Sequence, residues 1–583
     1  PSNVTNTTRV VERYHPPTCH PGRKNVTNQK ANSQTIVVYY YKRGQEPGRL
    51  WGWFMFPGLS HFRGGTHKNG GAVMEMQGKK QRVFLTGATG SMGLASLKEM
   101  LKDRDKQDVV ILVRDSVKNR KILATFRGAA GLEIRWGDLN DYDAVLECVR
   151  DADLILHIAA LVSPGADYHP ELAMKVNYGS TRNLIRAIYG LGQQERTRLV
   201  YIGTVAQTGD RMPPIHWGRV GDPIKPSVFD YYAVSKVAAE RLVIESGLSY
   251  WVSLRQTGMT GRAMAGVEDA IIFHNCLDNV LEYCSDRDSA RAMKNLCAFN
   301  RDGTLEEGFW GHIYNIGGGE SCRVSTYEMF RKLFGAIGLT DLDDVFSPRE
   351  FATRNFHGQY YLDSDKLEGY LHFRQDSMEY FYRCYLEKLG ALARVSRGLC
   401  RIPGGWRLMG AVLRRRFGKL TRTEHGTVRF IKDNLEDHID AYWGSRAKWE
   451  ALPEKWSRMT HFTQWDTVVP MDHGYDETKP ESQLTLADMA GAAAFRGGRL
   501  LSENMKTGDW KTPLEFECAF GHRFKASPRL VLEGGHWCDE CERKSWNYGN
   551  RARVDPFFAQ VWNPLHDPEE LREYPKKVSE LDV

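Results

Sequence analysis

Long apolar runs are missing from this sequence of 583 residues. No run approaches the ~18 consecutive apolar residues that a membrane-spanning helix needs. A disulfide framework is missing too, because the eleven cysteines are odd in number and mostly scattered. The composition, 42% hydrophobic and 26% charged, is typical of a soluble globular protein. We therefore expect a cytoplasmic protein of about three or four domains.

An excess of basic residues is also missing from the part of the chain that we expect to fold. The net charge is +7, but residues 1–73 hold ten Lys/Arg and two Glu, which leaves 69 basic and 70 acidic residues for the rest. Proteins that bind nucleic acid usually cluster basic residues on the folded body, so we expect no nucleic acid partner. Residues 1–75 show little periodicity. We expect them to be a disordered or wrongly assigned N-terminal extension.

A regular pattern starts at residue 82. The stretch RVFLTGATGSMGLASLKEML predicts a strand, a glycine-rich turn and a helix, with Gly87, Gly90 and Gly93 spaced three apart. Such a turn lets the backbone approach a pyrophosphate at a helix N-terminus. Further strand patterns alternate with helical segments: DVVILVRD, GLEIRWGDL, DLILHIAALV, RLVYIGT and LSYWVSLR. This alternation predicts an α/β fold of the Rossmann type, a doubly wound parallel sheet with helices on both faces.

A second pattern is FDYYAVSKVAAERL at residues 229–242. On a helix, Tyr232 and Lys236 share a face, whereas Tyr231 and Lys236 do not. A phenol beside an ammonium has a lowered pKa, which suits proton exchange with an alcohol or ketone. The same spacing also occurs in ordinary helices, so it needs support from the rest of the chain.

Several motifs in order supply that support. They are TGATGSMG, GDL at 137–139, HIAA at 157–160, NYGST at 177–181, and Thr204 ahead of Tyr232 and Lys236. Over roughly residues 80–340 the chain resembles an extended short-chain dehydrogenase/reductase, of the NAD-dependent epimerase/dehydratase family that includes 3β-hydroxysteroid dehydrogenases. The resemblance implies an NAD(P)-binding and catalytic domain over residues 76–345, with a small substrate lobe after the sixth strand. Because the family often dimerises, a homodimer is a further expectation.

The resemblance also implies roles for individual residues. Gly87, Gly90, Ser91, Met92 and Gly93 would hold the pyrophosphate. Asp138 and Leu139 would lie by the adenine, and Ala159 and Ala160 would line the nicotinamide side, with plain packing at a strand end as the alternative for the two alanines. Thr204 would hydrogen-bond the reacting oxygen, and Tyr232 would be the general acid/base. Lys236 would lower the pKa of Tyr232 and hold the nicotinamide ribose.

The end of the second strand predicts which nicotinamide cofactor binds. NAD-preferring enzymes usually place an acid there to hold the ribose 2′-hydroxyl, whereas this chain has Arg114, which favours a 2′-phosphate. Asp115 follows immediately, so a shift of one residue would reverse the preference. We predict NADP(H), with NAD(H) as the alternative.

The leading functional hypothesis is an NADP(H)-dependent oxidoreductase that interconverts a secondary alcohol and a ketone on a hydrophobic, steroid-like small molecule. A nucleotide-sugar epimerase or dehydratase is the alternative within the same fold. It is weakened because Thr208 stands where that group commonly has tyrosine, and Ser180 where glycine is usual. A cofactor-binding scaffold that recruits a partner through its tail is the alternative from another class.

Two regions follow the family core. Residues 346–490 predict a mostly helical extension, in which GGWRLMGAVLRRRFGKL is basic and apolar. Such a segment suits either a helix on a membrane surface or a packed helix with a solvated face, and the second is favoured.

Residues 491–583 contain a C-x3-H pair, fifteen intervening residues and a C-x2-C pair. Three thiolates and one imidazole complete the tetrahedral ligand shell of a zinc ion, so we predict a structural zinc site in a ribbon-like module. The predicted ligands are Cys518, His522, Cys538 and Cys541. His536 is an alternative ligand.

Overall fold

The computed structural model describes residues 80–578, so the extension predicted for residues 1–75 lies outside the described residues. A seven-stranded parallel sheet forms the centre of the described chain, in the order β3-β2-β1-β4-β5-β6-β7. Its strands are β1 Gln81–Thr86, β2 Gln107–Val113, β3 Leu132–Trp136, β4 Leu154–His157, β5 Arg198–Thr204, β6 Trp251–Gln256 and β7 His312–Ile316. The inner strands are buried on both faces, which explains their nearly continuous apolar sequences. The predicted Rossmann-type sheet is confirmed.

Helices cover both faces of this sheet. They are α1 Ser91–Met100, α2 Val117–Leu123, α3 Tyr142–Val149, α4 Gly179–Gly190, α5 Tyr231–Ile244 and α6 Asp286–Arg301. The core on one face includes α1 and α6, and the core on the other includes α3, α4 and α5. Single helical turns at Gly165–Tyr168, Pro170–Ala173 and Ile271–His274 lie in the connections.

Short strand pairs build the lobe that follows the sheet. Trp217–Gly218 pairs with Tyr360–Tyr361, Val280–Glu282 pairs with Arg323–Ser325, and Met259–Thr260 pairs with Cys284–Ser285. Helices follow in the region for which the sequence predicted a helical extension and just before it. They are α7 Thr326–Gly335, α8 Ser364–Leu371, α9 Met378–Leu389, α10 Ala391–Cys400, α11 Gly405–Leu420, α12 Thr427–Lys432, α13 Glu436–Trp443 and α14 Arg446–Glu450. Within the described residues, no helix combines the length and apolar composition that crossing a bilayer requires.

The C-terminal region packs directly on the central sheet domain. It contains α15 Leu486–Phe495, a three-stranded antiparallel sheet of β8 Arg499–Leu500, β9 Leu514–Glu517 and β10 Arg523–Ala526, and the helices α16 Asp539–Lys544, α17 Tyr548–Val554 and α18 Pro556–Trp562. Phe516, Leu530 and Trp537 share one hydrophobic core with α3, α4 and α5. Ten of the fourteen residues of α5 are buried, because the C-terminal region covers the side of α5 that would otherwise face solvent.

Candidate active site and metal cluster

The glycine-rich turn between β1 and α1 has the shape that a dinucleotide pyrophosphate needs. Gly87 has a φ of +71°, and a Cβ there would lie 2.8 Å from the backbone nitrogen of Ala159. A Cβ on Gly93 would collide with the Gly87 carbonyl oxygen, whereas a Cβ on Gly90 would meet only that oxygen, at 3.4 Å. Gly90 caps α1 without a side-chain hydrogen bond, so no capping side chain engages the first N–H groups of the helix, at Ser91 and Met92. The turn therefore fits a diphosphate.

The residues predicted for the two ends of the cofactor lie at the carboxyl edge of the sheet. Asp138 and Leu139 follow β3 and are half-buried, and the Asp138 carboxylate accepts hydrogen bonds from Asn140. Ala159 and Ala160 follow β4, and the Ala159 N–H donates to the Thr86 hydroxyl at 3.0 Å. This edge is where ligands bind in open α/β sheets.

The predicted 2′-phosphate site consists of exposed residues at the end of β2. Both carboxylate oxygens of Asp115 accept from Arg120, at 2.5 Å each, and this pairing lowers the pKa of Asp115. Arg114 is exposed, and its guanidinium has no hydrogen-bond or ion-pair partner within residues 80–578. The acid is thus engaged by a neighbouring base, while Arg114 is available for an anion.

Thr204 and Tyr232 meet where β5 ends and α5 begins. Burial, together with Asp230 and Asp167, raises the pKa of Tyr232 to about 12, and the nearby Thr204 side chain partly opposes that rise. Asp230 caps α5 by accepting from the Ala233 N–H at 2.8 Å. A second carboxylate, Asp167, accepts from the Tyr232 N–H at 3.1 Å. Both acids thus position the start of the helix that carries the tyrosine.

The predicted effect of Lys236 on Tyr232 stays a prediction, because Lys236 is not among the groups that shift the pKa of Tyr232 in the structure. Lys236 is on α5, as the spacing predicted, but its ammonium lies over the ring of Tyr201, 4.1 Å from the centroid. Burial lowers the pKa of Lys236 to about 7, and Glu240 partly opposes that shift. The pKa of Tyr232 is set first by burial and then by Thr204, Asp230 and Asp167.

A buried group of polar side chains joins α5 to the C-terminal region. We call it the Glu240 network: Glu240, Arg255, Gln207, Ser253 and His536. Arg255 donates to both oxygens of Glu240, at 3.1 and 2.7 Å, and His536 Nε2 lies 3.1 Å from Glu240 Oε2. Ser253 and Gln207 donate the remaining hydrogen bonds, and these partners hold the pKa of the fully buried Glu240 well below its usual range. Sequence reasoning missed this network, although Tyr232, Lys236 and Glu240 recur every four residues on one helix face.

The Glu240 network should be essential to stability. Glu240→Gln leaves Arg255 and His536 buried without the carboxylate, and the expected loss in the free energy of unfolding is about 3–5 kcal/mol. Urea denaturation measures this loss. The matched control is Glu99→Gln, because Glu99 pairs with Lys102 at the surface and should lose less than about 1 kcal/mol. Equal losses in the two variants would contradict the importance of the network.

A cavity of about 260 Å³ lies beside the N-terminus of α5. Half of its wall residues are aromatic or histidine, and Tyr231 borders it where Tyr232 does not; the aromatic and histidine residues include Tyr168, His274, Phe356, His425, Phe430 and Tyr442. Burial lowers the pKa of His274 to about 4, so that this ring is neutral near pH 7. Asp167, Asp230 and Lys577 are the charged acidic and basic residues in the wall among the described residues. The cavity therefore suits a largely uncharged molecule with ring faces.

The four predicted zinc ligands come together in the C-terminal region. His522 Nδ1 lies 3.3, 3.5 and 3.6 Å from the sulfurs of Cys541, Cys518 and Cys538, and the Sγ atoms of Cys518 and Cys541 are 3.8 Å apart. A tetrahedron of ligands at ~2.0–2.3 Å from a zinc ion has edges of ~3.5–3.8 Å. The donor set therefore fits zinc. His536 is not part of it, since its two nitrogens face Glu240 and Glu542.

Comparison with known proteins shows what the central part of the chain is similar to. Residues 83–317 match the model of the NAD dependent epimerase/dehydratase family. The 3 beta-hydroxysteroid dehydrogenase/Delta 5-->4-isomerase of vaccinia virus is 29% identical over 193 residues, which are 30% of this chain and 52% of the relative. The UDP-N-acetylglucosamine 4,6-dehydratase (inverting) of Campylobacter jejuni is 30% identical over 114 residues, 19% of this chain and 34% of the relative.

Among solved structures, a dTDP-glucose 4,6-dehydratase of Streptomyces venezuelae with NAD bound is similar at 22% identity and a TM-score of 0.44, over 53% of this chain and 98% of that one. The chain spans about a third to a half of the length of the two curated relatives named above. The family match covers the glycine-rich turn, Thr204, Tyr232 and Lys236. Residues 83–317 of this chain are therefore similar to the NAD dependent epimerase/dehydratase family, a family of nicotinamide-dependent enzymes.

Proposed function

We propose that this protein is an NADP(H)-dependent oxidoreductase that interconverts a secondary alcohol and a ketone on a hydrophobic, steroid-like substrate. The observation that carries the proposal is the placement of Thr204 at the end of β5 near Tyr232 at the start of α5. Tyr232 is the general acid/base, Thr204 holds the reacting oxygen, and Lys236 holds the cofactor ribose.

In the proposed reaction the cofactor would exchange a hydride with the substrate, and the protein would exchange a proton with it. A bound nicotinamide dinucleotide supplies or accepts the hydride at the substrate carbon. In the direction of oxidation, Tyr232 takes the hydroxyl proton as the carbon–hydrogen bond breaks and the carbonyl forms. The Thr204 hydroxyl hydrogen-bonds the same oxygen and fixes its distance from the phenol.

Lys236 acts on this step through charge. Near pH 7 its ammonium is only partly protonated in the structure, because burial lowers its pKa to about 7. Hydroxyl oxygens of a ribose next to Lys236 would replace lost solvation and favour the charged form. A charged Lys236 would then favour the phenolate of Tyr232, which is the effect expected from the sequence.

The cavity beside α5 supports a hydrophobic substrate over a nucleotide sugar. A nucleoside diphosphate carries negative charge, and Lys577 is the one lysine or arginine in the wall among the described residues, opposed by Asp167 and Asp230. Aromatic faces such as Tyr168 and Phe430 instead suit stacking against an apolar ring.

A substrate panel tests this choice. We expect hydroxysteroids or secondary alcohols to give net reduction of NADP+, measured by nicotinamide absorbance. Conversion of a UDP-sugar without net nicotinamide turnover would instead identify an epimerase or dehydratase. No reaction with either class would favour the scaffold hypothesis.

Cofactor preference is a separate proposal that rests on Arg114. We expect NADPH to bind more tightly than NADH, because Asp115 is paired with Arg120 while Arg114 can receive the 2′-phosphate. Arg114→Ala should weaken NADPH binding by about tenfold or more, the size of a charge-assisted hydrogen bond, and leave NADH binding nearly unchanged.

Fluorescence titration with both cofactors measures this preference. The control is Lys121→Ala, which removes an exposed cation one turn into α2 and should change neither affinity. If wild-type protein binds NADH as tightly as NADPH, the proposed preference is wrong.

We also propose that Cys518, His522, Cys538 and Cys541 hold a structural zinc ion. The distances among the four donor atoms support a closed tetrahedral shell, which leaves no position for a substrate. In this proposal the ion stabilises the C-terminal region and takes no part in the redox step.

A further inference from the structure

A pair of helices in the extension exposes large apolar side chains. We call α10 and α11 with their connection, residues 391–420, the helical hairpin. Five of its apolar side chains are between 55% and 68% exposed, and Trp406 is 36% exposed; the five are Leu392, Val395, Ile402, Leu408 and Val412. Single exposed apolar residues are common on soluble proteins, but a group on one element marks an interaction surface.

On these two helices several large apolar side chains point to solvent, whereas an ordinary packed helix buries such side chains. In α10 the small residues Ala393 and Ser396 are buried, whereas Leu392 and Val395 face outward. In α11 the inward face, with Met409, Leu413 and Phe417, packs against the core. Its outward face carries Leu408 and Val412, spaced four apart. The sequence favoured a packed helix with a solvated face, and in the structure this outward face carries large apolar side chains beside basic ones.

The charge of the helical hairpin has one sign. Residues 391–420 contain eight Arg/Lys and no Asp or Glu. Four of these cations have no hydrogen-bond or ion-pair partner for their side chains within the described chain; they are Arg394, Arg401, Arg415 and Lys419. Because the folded body is close to neutral, this concentration of charge is local to the hairpin.

We propose that the helical hairpin docks on a membrane surface rich in anionic lipids. Outward Leu, Val, Ile and Trp side chains can enter the boundary between headgroups and acyl chains, and the arginines around them can pair with lipid phosphates. A nucleic acid would match the charge but would leave the apolar side chains without contacts. The position of the hairpin fits a hydrophobic substrate, because the chain runs directly from it into His425 and Phe430 in the cavity wall. That last argument alone depends on the proposed function.

Vesicle co-sedimentation of the full-length protein tests the proposal. Wild-type protein should pellet with phosphatidylcholine vesicles that contain phosphatidylserine, and much less with phosphatidylcholine alone. High salt should weaken the binding because it screens the basic side chains. Failure to pellet with the anionic vesicles above the level of neutral ones would overturn the proposal, whatever the enzyme's activity.

Two double variants identify the surface. Leu408→Glu/Val412→Glu removes the outward apolar pair, and Arg401→Glu/Arg415→Glu reverses two unpaired charges; each should lower vesicle binding by about tenfold or more. Matched controls that should bind like wild type are Val468→Glu/Val554→Glu, at exposed valines elsewhere, and Lys506→Glu/Lys511→Glu.

Thermal melting and NADPH binding must stay at wild-type levels in each variant, which shows that the protein still folds. Undiminished vesicle binding by Leu408→Glu/Val412→Glu would refute the proposal. Light scattering that shows self-association through the hairpin, without vesicle binding, would identify a protein interface in its place and equally overturn docking on lipid.

Discussion

Tyr232→Phe is expected to lower kcat by about a thousandfold, within the range for loss of a positioned general acid/base. The phenylalanine ring fills the same space but has no hydroxyl to exchange a proton with the substrate oxygen. Binding of NADPH should stay within about threefold, because the diphosphate turn and Arg114 lie on other elements. Steady-state kinetics with the best substrate of the panel, together with fluorescence titration of the cofactor, measure the two effects.

The neighbouring tyrosine provides the control. The Tyr231 hydroxyl accepts a hydrogen bond from the Lys577 backbone N–H at 3.0 Å, and its ring packs on Trp546. Tyr231→Phe removes the same atom one position earlier and should keep kcat within about threefold. If Tyr231→Phe is inactive while Tyr232→Phe retains substantial activity, the catalytic assignment is wrong.

Local sequence patterns predicted the central sheet and its cofactor turn well. The strand predicted from RVFLT became β1, and Gly87 and Gly93 occupy positions that a side chain would obstruct. These features depend on residues close together in the chain, where spacing fixes geometry. The C-x3-H and C-x2-C pairs also lie together in the structure, and within each pair the short spacing keeps the two side chains close along the backbone.

Long-range contacts were not predictable in the same way. His536 was a reasonable alternative ligand in the sequence, yet it bonds Glu240, 296 residues earlier in the chain. The ammonium of Lys236 lies over Tyr201 on β5. No local spacing specifies which strand packs against α5. The cavity wall likewise combines Tyr168, His274 and Phe430, which come together only when the helical extension folds over the lobe. Such contacts depend on which elements pack together, and periodicity carries little information about that.

Cys538→Ser is expected to remove the metal and to destabilise the C-terminal region severely. Wild-type protein should contain about one zinc per chain by elemental analysis, and the variant should contain much less. Metal binding contributes directly to folding where the ligands converge only in the folded state. The expected loss is several kcal/mol in the free energy of unfolding, about 4 or more, measured by urea denaturation. Cys400→Ser is the control, since Cys400 is half-buried outside the cluster and should lose less than about 1 kcal/mol.

The effect of Cys538→Ser should also reach the catalytic helix. Glu542 follows the ligand Cys541; it accepts from the Trp537 N–H at 2.7 Å and lies 3.3 Å from His536, whose other nitrogen faces Glu240 on α5. Loss of the metal should loosen this connection, so amide hydrogen exchange in α5 should speed up in Cys538→Ser and stay unchanged in Cys400→Ser. Full zinc content in Cys538→Ser would contradict the ligand assignment. If zinc is lost but hydrogen exchange in α5 is unchanged, the metal-site assignment stands. The Glu240 network then holds α5 without the ion, and the metal site does not stabilise the active site.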